Sequence, residues 1–387
     1  MPSNKYIENM KNIEMSENKR KLKRFLESKI MTTSLVAKWM PRPSGGNREN
    51  KRWASAIRKH MDLTPKAYRT LLVENTNVVE QLMCSKDFGS IEYGKIPSKA
   101  MSDYMKAFGK NDYERFSGYL NAVDKGEDKI NAGAVYPYDI LKNMKHGSKD
   151  GADTQWNALP NYMEGNAERV LPIVDVSSSM NTSAGGSSAT SCMDVAISLG
   201  LYISERNEGP FKNAFFTFDD NPTLEFINAK TLNDRYRQMH SANWGGSTNF
   251  EATFKLLLNK AVAGNISEDE MPTMILVLSD MEFNSADGSY SWNGRQNGND
   301  GTWSPTAQAM IGEMYNNAGY KVPKMVYWNI QSRGDNNKPV QFDKNGTALV
   351  SGFSPALLTS LLSGKDMTPY SMMMNVIGSD RYTEITI

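Results

Sequence analysis

The chain has 387 residues, 39% of them apolar, which is more than one average domain needs and enough for two packed cores. It holds no apolar run of about 18 residues to span a membrane, and its polar beginning, MPSNKYIENMKNIEMSENKRKLKR, is not a signal peptide; the expected setting is cytoplasmic. Two distant cysteines, Cys84 and Cys192, exclude a disulfide framework, and the three histidines, His60, His146 and His240, leave zinc sites and histidine triads poorly supplied.

The net charge of +1 conceals an asymmetry. Residues 1–165 hold 28 Lys+Arg against 20 Asp+Glu, and the remainder 16 against 23, so +8 faces −7. A basic half is a candidate for a polyanion partner such as RNA, or the two halves carry solvated faces and attract each other.

In chain order, residues 1–165 read as helical. The passage around "AKWMPRP" interleaves aromatic and basic side chains: Lys38, Trp39, Arg42, Lys51, Arg52 and Trp53 would stack on and neutralise single-stranded or looped RNA, unless the tryptophans are core residues. Thr64 followed by Pro65 is a helix start, and Ser98 opens another. Met101, Tyr104, Met105 and Phe108, then Tyr113, Phe116, Leu120 and Val123, recur with helical period, and Asn111 with Glu114 has the form of a capping box. About four to six helices are expected by ordinary helix lengths. The Gly-, Asp- and Asn-rich stretch at 145–166 is expected to be a linker.

From 166 to 387 the rhythm changes. Apolar runs at 170–174, 214–218, 274–278 and 325–330 alternate with helical patterns at 189–206, 250–263 and 305–318, and "NPTLEFINA" offers a short antiparallel edge strand. This predicts a doubly wound α/β domain with a mostly parallel sheet, preceded by an all-α domain.

Three strand or loop ends in that domain carry oxygen donors. "DVSSSM" supplies Asp175, Ser177 and Ser179; "WGGSTNF" supplies Thr248, with Ser247 the alternative; "VLSDMEF" supplies Asp280. An all-oxygen set with two carboxylates suits Mg²⁺, or Mn²⁺, with capacity to accept an acidic group from a partner. Glu282, two residues past Asp280, is expected beside the ion without ligating it. The polar loop 284–303 carries Tyr290, Trp292, Arg295 and Trp303, which form a recognition rim around the ion or belong to a disordered loop.

"DVSSSM", "GGSTNF" and "LSDMEF" together resemble the metal-ion-dependent adhesion site (MIDAS) of von Willebrand factor A domains. With "AKWMPRP", "KIPSKAMSDYMKAFGKNDYERFSGYL" and "INAGAVYPYDIL" ahead of it, the whole chain resembles a protein family known from plants, fungi, large viruses and phages, distantly similar to the Ro (TROVE) ribonucleoproteins. The resemblance implies metal-dependent protein–protein interaction at the A-like domain and RNA binding at the helical part. A structural or scaffolding role in a larger, virus-encoded assembly is the alternative. Phosphoryl transfer finds little support, because there is no Asp-x-Asp motif, phosphate loop or Gly-x-Ser-x-Gly elbow, and no catalytic residue is assigned.

Overall fold

A computed structural model describes residues 23–24, 34–44, 47–147, 149, 151–165, 168–184, 190–243, 245, 249–280, 305–331, 347–351, 374 and 377–378. The chain forms two compact units, Met1–Glu92 and Tyr93–Ile387.

In the first unit the described helices are α1 (Ser34–Trp39), α2 (Arg48–His60), α3 (Pro65–Glu74) and α4 (Val79–Cys84). Thr64 caps α3 as its sequence requires, its hydroxyl accepting the Ala67 N–H at 3.1 Å with Pro65 in the first turn. Asn47 caps α2 through Glu49 N–H. The small core is built from Ala37, Ala54, Met61, Tyr68 and Leu72, and the buried Tyr68 keeps its hydroxyl paired by donating to the Pro41 carbonyl at 3.1 Å.

The second unit begins with α5 (Ser98–Asn111), α6 (Tyr113–Asp124), α7 (Pro137–Lys145) and α8 (Ala152–Asn157). Its apolar period holds at Met101, Met105, Phe108, Phe116 and Leu120, which are buried, and fails at Tyr113, which is exposed. Asn111 does not cap α6. It is the last residue of α5, its side chain donates back to Ala107 O, and Asp112 stands at the cap position of α6 instead. Nor does 145–166 run as an open linker. It holds α8, whose Trp156 is fully buried and donates its indole N–H to Glu205 at 2.7 Å.

The sheet contains β1 (Val170–Val174), β2 (Ala214–Thr217), β3 (Leu224–Phe226), β4 (Met274–Ser279), β5 (Lys324–Asn329) and β6 (Thr347–Ser351), in the order β3-β2-β1-β4-β5-β6. All neighbours run parallel except β3, which pairs antiparallel with β2 at the edge, as "NPTLEFINA" predicted. Helices α9 (Cys192–Arg206), α10 (Leu232–His240), α11 (Phe250–Ala263) and α12 (Pro305–Asn317) complete the fold. The helix α10 and the strand β6 were not among the expected elements. In α10 only Leu232 and Met239 are buried, too few apolar positions to give a helical period.

Both faces of the sheet are covered, which explains strands without polar alternation. Val170 and Val174 point to a core shared with α7, α8 and α9, whereas Leu171 and Ile173 point to one shared with Phe254, Leu257 and Tyr315 of α11 and α12. The chain order on the sheet reverses between β1 and β4, so the crevice at their carboxyl ends is the topological switch point where α/β folds place ligands.

Candidate metal centre

Asp175 is the first residue past β1 and Asp280 the first past β4, so the two carboxylates end neighbouring strands on either side of the switch point. Both are buried, at 2% and 3% exposure. The ladder continues one step beyond β1, because Asp175 N–H donates to Leu278 O at 3.0 Å. The side chain is then held from two directions: Oδ1 accepts the Ser177 N–H at 2.9 Å and Oδ2 accepts the Ser279 hydroxyl at 2.7 Å.

The first of these bonds turns the chain out of the strand into a single 3-10 turn, Ser178–Asn181. That turn brings the hydroxyls of Ser177 and Ser179 to 3.0 Å of each other, as their alternate spacing demands. It also buries Met180, whose sulfur accepts the Asp280 N–H at 3.1 Å and ties the end of β4 to the loop after β1. Four of the five expected ligands, Asp175, Ser177, Ser179 and Asp280, are therefore joined through one small hydrogen-bonded framework. Thr248 lies outside the described residues, as do Glu282, Tyr290, Trp292, Arg295 and Trp303.

Burial raises the pKa of Asp175, hydrogen bonds from Ser177 and Ser279 oppose the rise, and the neighbouring charge of Asp280 adds to it. A cation between the two carboxylates would relieve that repulsion. The donor set fits such an ion: oxygen atoms only, two from carboxylates and two from hydroxyls, which is the chemistry of a hard divalent cation such as Mg²⁺. Among the described residues there is no cluster of three or more His, Cys, Asp or Glu positioned for a metal, so the hydroxyls are needed to complete the set.

Two participants were not singled out from the sequence. Ser279, the last residue of β4, is fully buried and orients Asp175. Asp219, just past β2, puts a third acidic residue on the same edge. Its signal, an acid at the end of an apolar run in "FFTFDD", is the one that pointed to the other two.

In the unit Met1–Glu92 the aromatic residues expected to meet RNA are not in the core: Trp39 is 76% exposed and Trp53 57%. Lys51 and Arg52 are exposed beside Trp53. Lys38 and Arg42 are engaged within the unit. Lys38 pairs with Glu80 while its ammonium lies 5.5 Å from the centre of the Trp39 ring, and Arg42 donates to Ala37 O at 3.4 Å. No helix among the described residues is long and apolar enough to cross a membrane.

Comparison with known proteins divides the chain near residue 168, inside the second unit. The family model described as "Domain of unknown function (DUF2828)" matches residues 46–168. Uncharacterized protein L728 of Acanthamoeba polyphaga mimivirus is 28% identical over 371 residues, which are 90% of this chain and 61% of the viral protein. The chain thus spans about three fifths of the length of that relative. The crystal structure of the Deinococcus radiodurans Ro (RSR) protein aligns over 93% of this chain and 76% of its own, at 14% identity and a TM-score of 0.37. The model described as "Domain of unknown function (DUF7788)" matches residues 169–381, more than half of the chain and the whole region that carries the sheet and the oxygen cluster, and the protein belongs to that family.

Proposed function

We propose that the protein is a metal-dependent binding protein. The observation that carries this reading is the pair Asp175 and Asp280, buried at the ends of the two strands that flank the switch point and joined by the Ser177–Met180 loop. Asp175, Ser177, Ser179, Thr248 and Asp280 would hold Mg²⁺ or Mn²⁺. When bound, the ion supplies a Lewis-acidic centre that takes a carboxylate of a protein partner as a further ligand. The chain's own part is to present two negative charges and neutral hydroxyls on a rigid edge. Two carboxylates balance the ion without surplus, so an incoming acidic group is not repelled.

Calorimetric titration of the full chain with MgCl₂ tests this. The wild type should bind one equivalent, and Asp175→Ala should bind none while its far-ultraviolet circular dichroism stays that of the wild type. Equal affinity in wild type and variant would sink the assignment.

A second activity, RNA binding by the first unit, is favoured by the exposure of Trp39, and of Trp53 next to Lys51 and Arg52. We assign no catalytic role to the metal edge. A purely scaffolding role would predict no response to chelator, so partner capture with and without EDTA separates it from the metal-dependent reading.

A further inference from the structure

Asp219 stands half-buried two residues past β2. Its Oδ1 accepts the Asn221 N–H at 2.8 Å, closing a turn that ends the strand. The turn leaves the carbonyls of Phe218 and Asp219 to the segment ahead of α11. Gly245 donates its N–H to Phe218 O at 3.0 Å, and Asn249 donates its N–H to Asp219 O at 3.3 Å.

The approach at residue 245 is tight for a side chain. A Cβ there would fall 3.3 Å from Asp219 Cγ and 3.5 Å from Asp219 Cα. Glycine lets the backbone at 245 lie this near the strand end without displacing the Asp219 side chain. Asn249 extends the attachment into the core, because its Oδ1 caps α11 by accepting the Ala252 N–H at 2.9 Å, and Phe250 and Phe254 of that helix are buried with Phe216 and Phe218. Gly245 and Asn249 flank Thr248 in the chain.

We propose that Asp219 and Gly245 form a latch that fixes both ends of the 245–249 segment to β2, and that this latch sets the affinity of the metal edge for its ion. Asp219 is a positioning residue and not a ligand. The effect on affinity rests on the cation reading given above; the latch itself does not.

The test uses the full chain. Hydrogen–deuterium exchange without metal is measured for the wild type, Asp219→Ala, Asp219→Asn and Gly245→Ala, and each is then titrated with MgCl₂ by calorimetry. Asp219→Ala removes the acceptor that closes the turn, Gly245→Ala crowds the Asp219 carboxyl against its turn, and Asp219→Asn keeps the acceptor while discarding the charge. Faster exchange at the Gly245 and Asn249 amides is expected in Asp219→Ala and Gly245→Ala, with Mg²⁺ affinity reduced about tenfold or more, the range seen when outer-shell partners are lost. Asp219→Asn should match the wild type in both measurements.

Wild-type exchange in both Asp219→Ala and Gly245→Ala would overturn the latch. Wild-type exchange with weakened Mg²⁺ binding in Asp219→Asn would overturn the positioning role in favour of direct action by the charge. Exchange that responds in a chain that binds no Mg²⁺ would retain the latch and overturn its link to affinity together with the cation reading.

Discussion

The hydroxyl of Ser279 donates to Asp175 Oδ2 at 2.7 Å across the β1–β4 pair, and neither side chain reaches solvent beyond 2%. This bond holds one carboxylate oxygen while the Ser177 N–H holds the other, so the orientation of Asp175 is set before any ligand arrives. Ser279→Ala leaves a buried acceptor without its donor and should cost about 1–3 kcal/mol in urea denaturation. Ser279→Thr keeps the hydroxyl and should recover most of that loss. Mg²⁺ affinity should follow the same order, wild type, then threonine, then alanine. An alanine variant as stable and as tightly binding as the wild type would show that Asp175 is oriented by its loop alone.

Trp39 and Trp53 give the opposite case, large side chains that the fold leaves outside. Replacing either with alanine should change stability by no more than about 0.5 kcal/mol, the usual bound for surface positions. The same variants should weaken single-stranded RNA binding by the full chain, each by about 1–3 kcal/mol if a base stacks there. Lys51→Ala should instead lower the slope of log affinity against log salt by about 0.7, because one phosphate contact on a single strand is lost. Lys38 already pairs with Glu80, so Lys38→Ala is expected to leave that slope unchanged. A filter-binding series from low to moderate salt reads all of these, and binding absent at low salt would remove the RNA reading.

The α/β half was legible because each strand carries its own signal. Runs such as "VLPIV" and "MILVL" are apolar throughout, which only a sheet covered on both faces tolerates, and an aspartate follows the first directly and the second after one serine. Asp175 and Asp280 could be read from that pattern and Ser177 and Ser179 from their spacing. Ser279 could not, since a serine closing an apolar strand gains its role only when β1 lies beside β4. Packing likewise decided the fate of 145–166. Its glycines and asparagines read as a linker, yet Trp156 supplies a buried anchor whose partner, Glu205, is 49 residues away. Asn111 misleads for a local reason: α5 runs three residues past Phe108, its last buried apolar position, so the residue that looks like a cap is still inside the helix.

Glu168, next to the start of β1, gives the fold a pH dependence. Burial pushes its pKa up, but hydrogen bonds from Lys324 at 2.6 Å and from Thr273, with the charges of Lys324 and Arg169, outweigh that and leave it below the usual value of 4.5. A carboxyl whose folded pKa is depressed contributes stability that is complete above its unfolded pKa and disappears as pH falls through the folded one. Stability should therefore drop below about pH 4.5, the unfolded value. Glu168→Gln should be less stable than the wild type at pH 7 and should show a shallower fall on acidification, as read by thermal melts at pH 7, 5 and 3.5. Parallel curves for the two proteins would assign the acid sensitivity to other groups.

Gly200, in the middle of α9, tests how tightly that helix is held against the strand that leads into Asp175. On propensity alone Gly200→Ala should stabilise a helix by about 1 kcal/mol. Here, however, the new Cβ would lie 2.5 Å from Val174 Cγ2 and 3.2 Å from Met239 Sδ. Met239 is flexible and can give way. Val174 is β-branched and belongs to a strand paired on both sides, so it cannot. The overpacking cost, about 1–3 kcal/mol net in measured cores, should win. Because Val174 immediately precedes Asp175, the displaced strand should also weaken Mg²⁺ binding. Val174→Ala removes the obstructing methyls, at the price of a cavity when made alone. The double variant Gly200→Ala, Val174→Ala should then be less destabilised than the sum of the two single changes, with a coupling of about 0.5–3 kcal/mol in urea denaturation. Simple additivity of the two would mean that α9 can move off the strand without loss, and that Gly200 is not the residue that sets their approach.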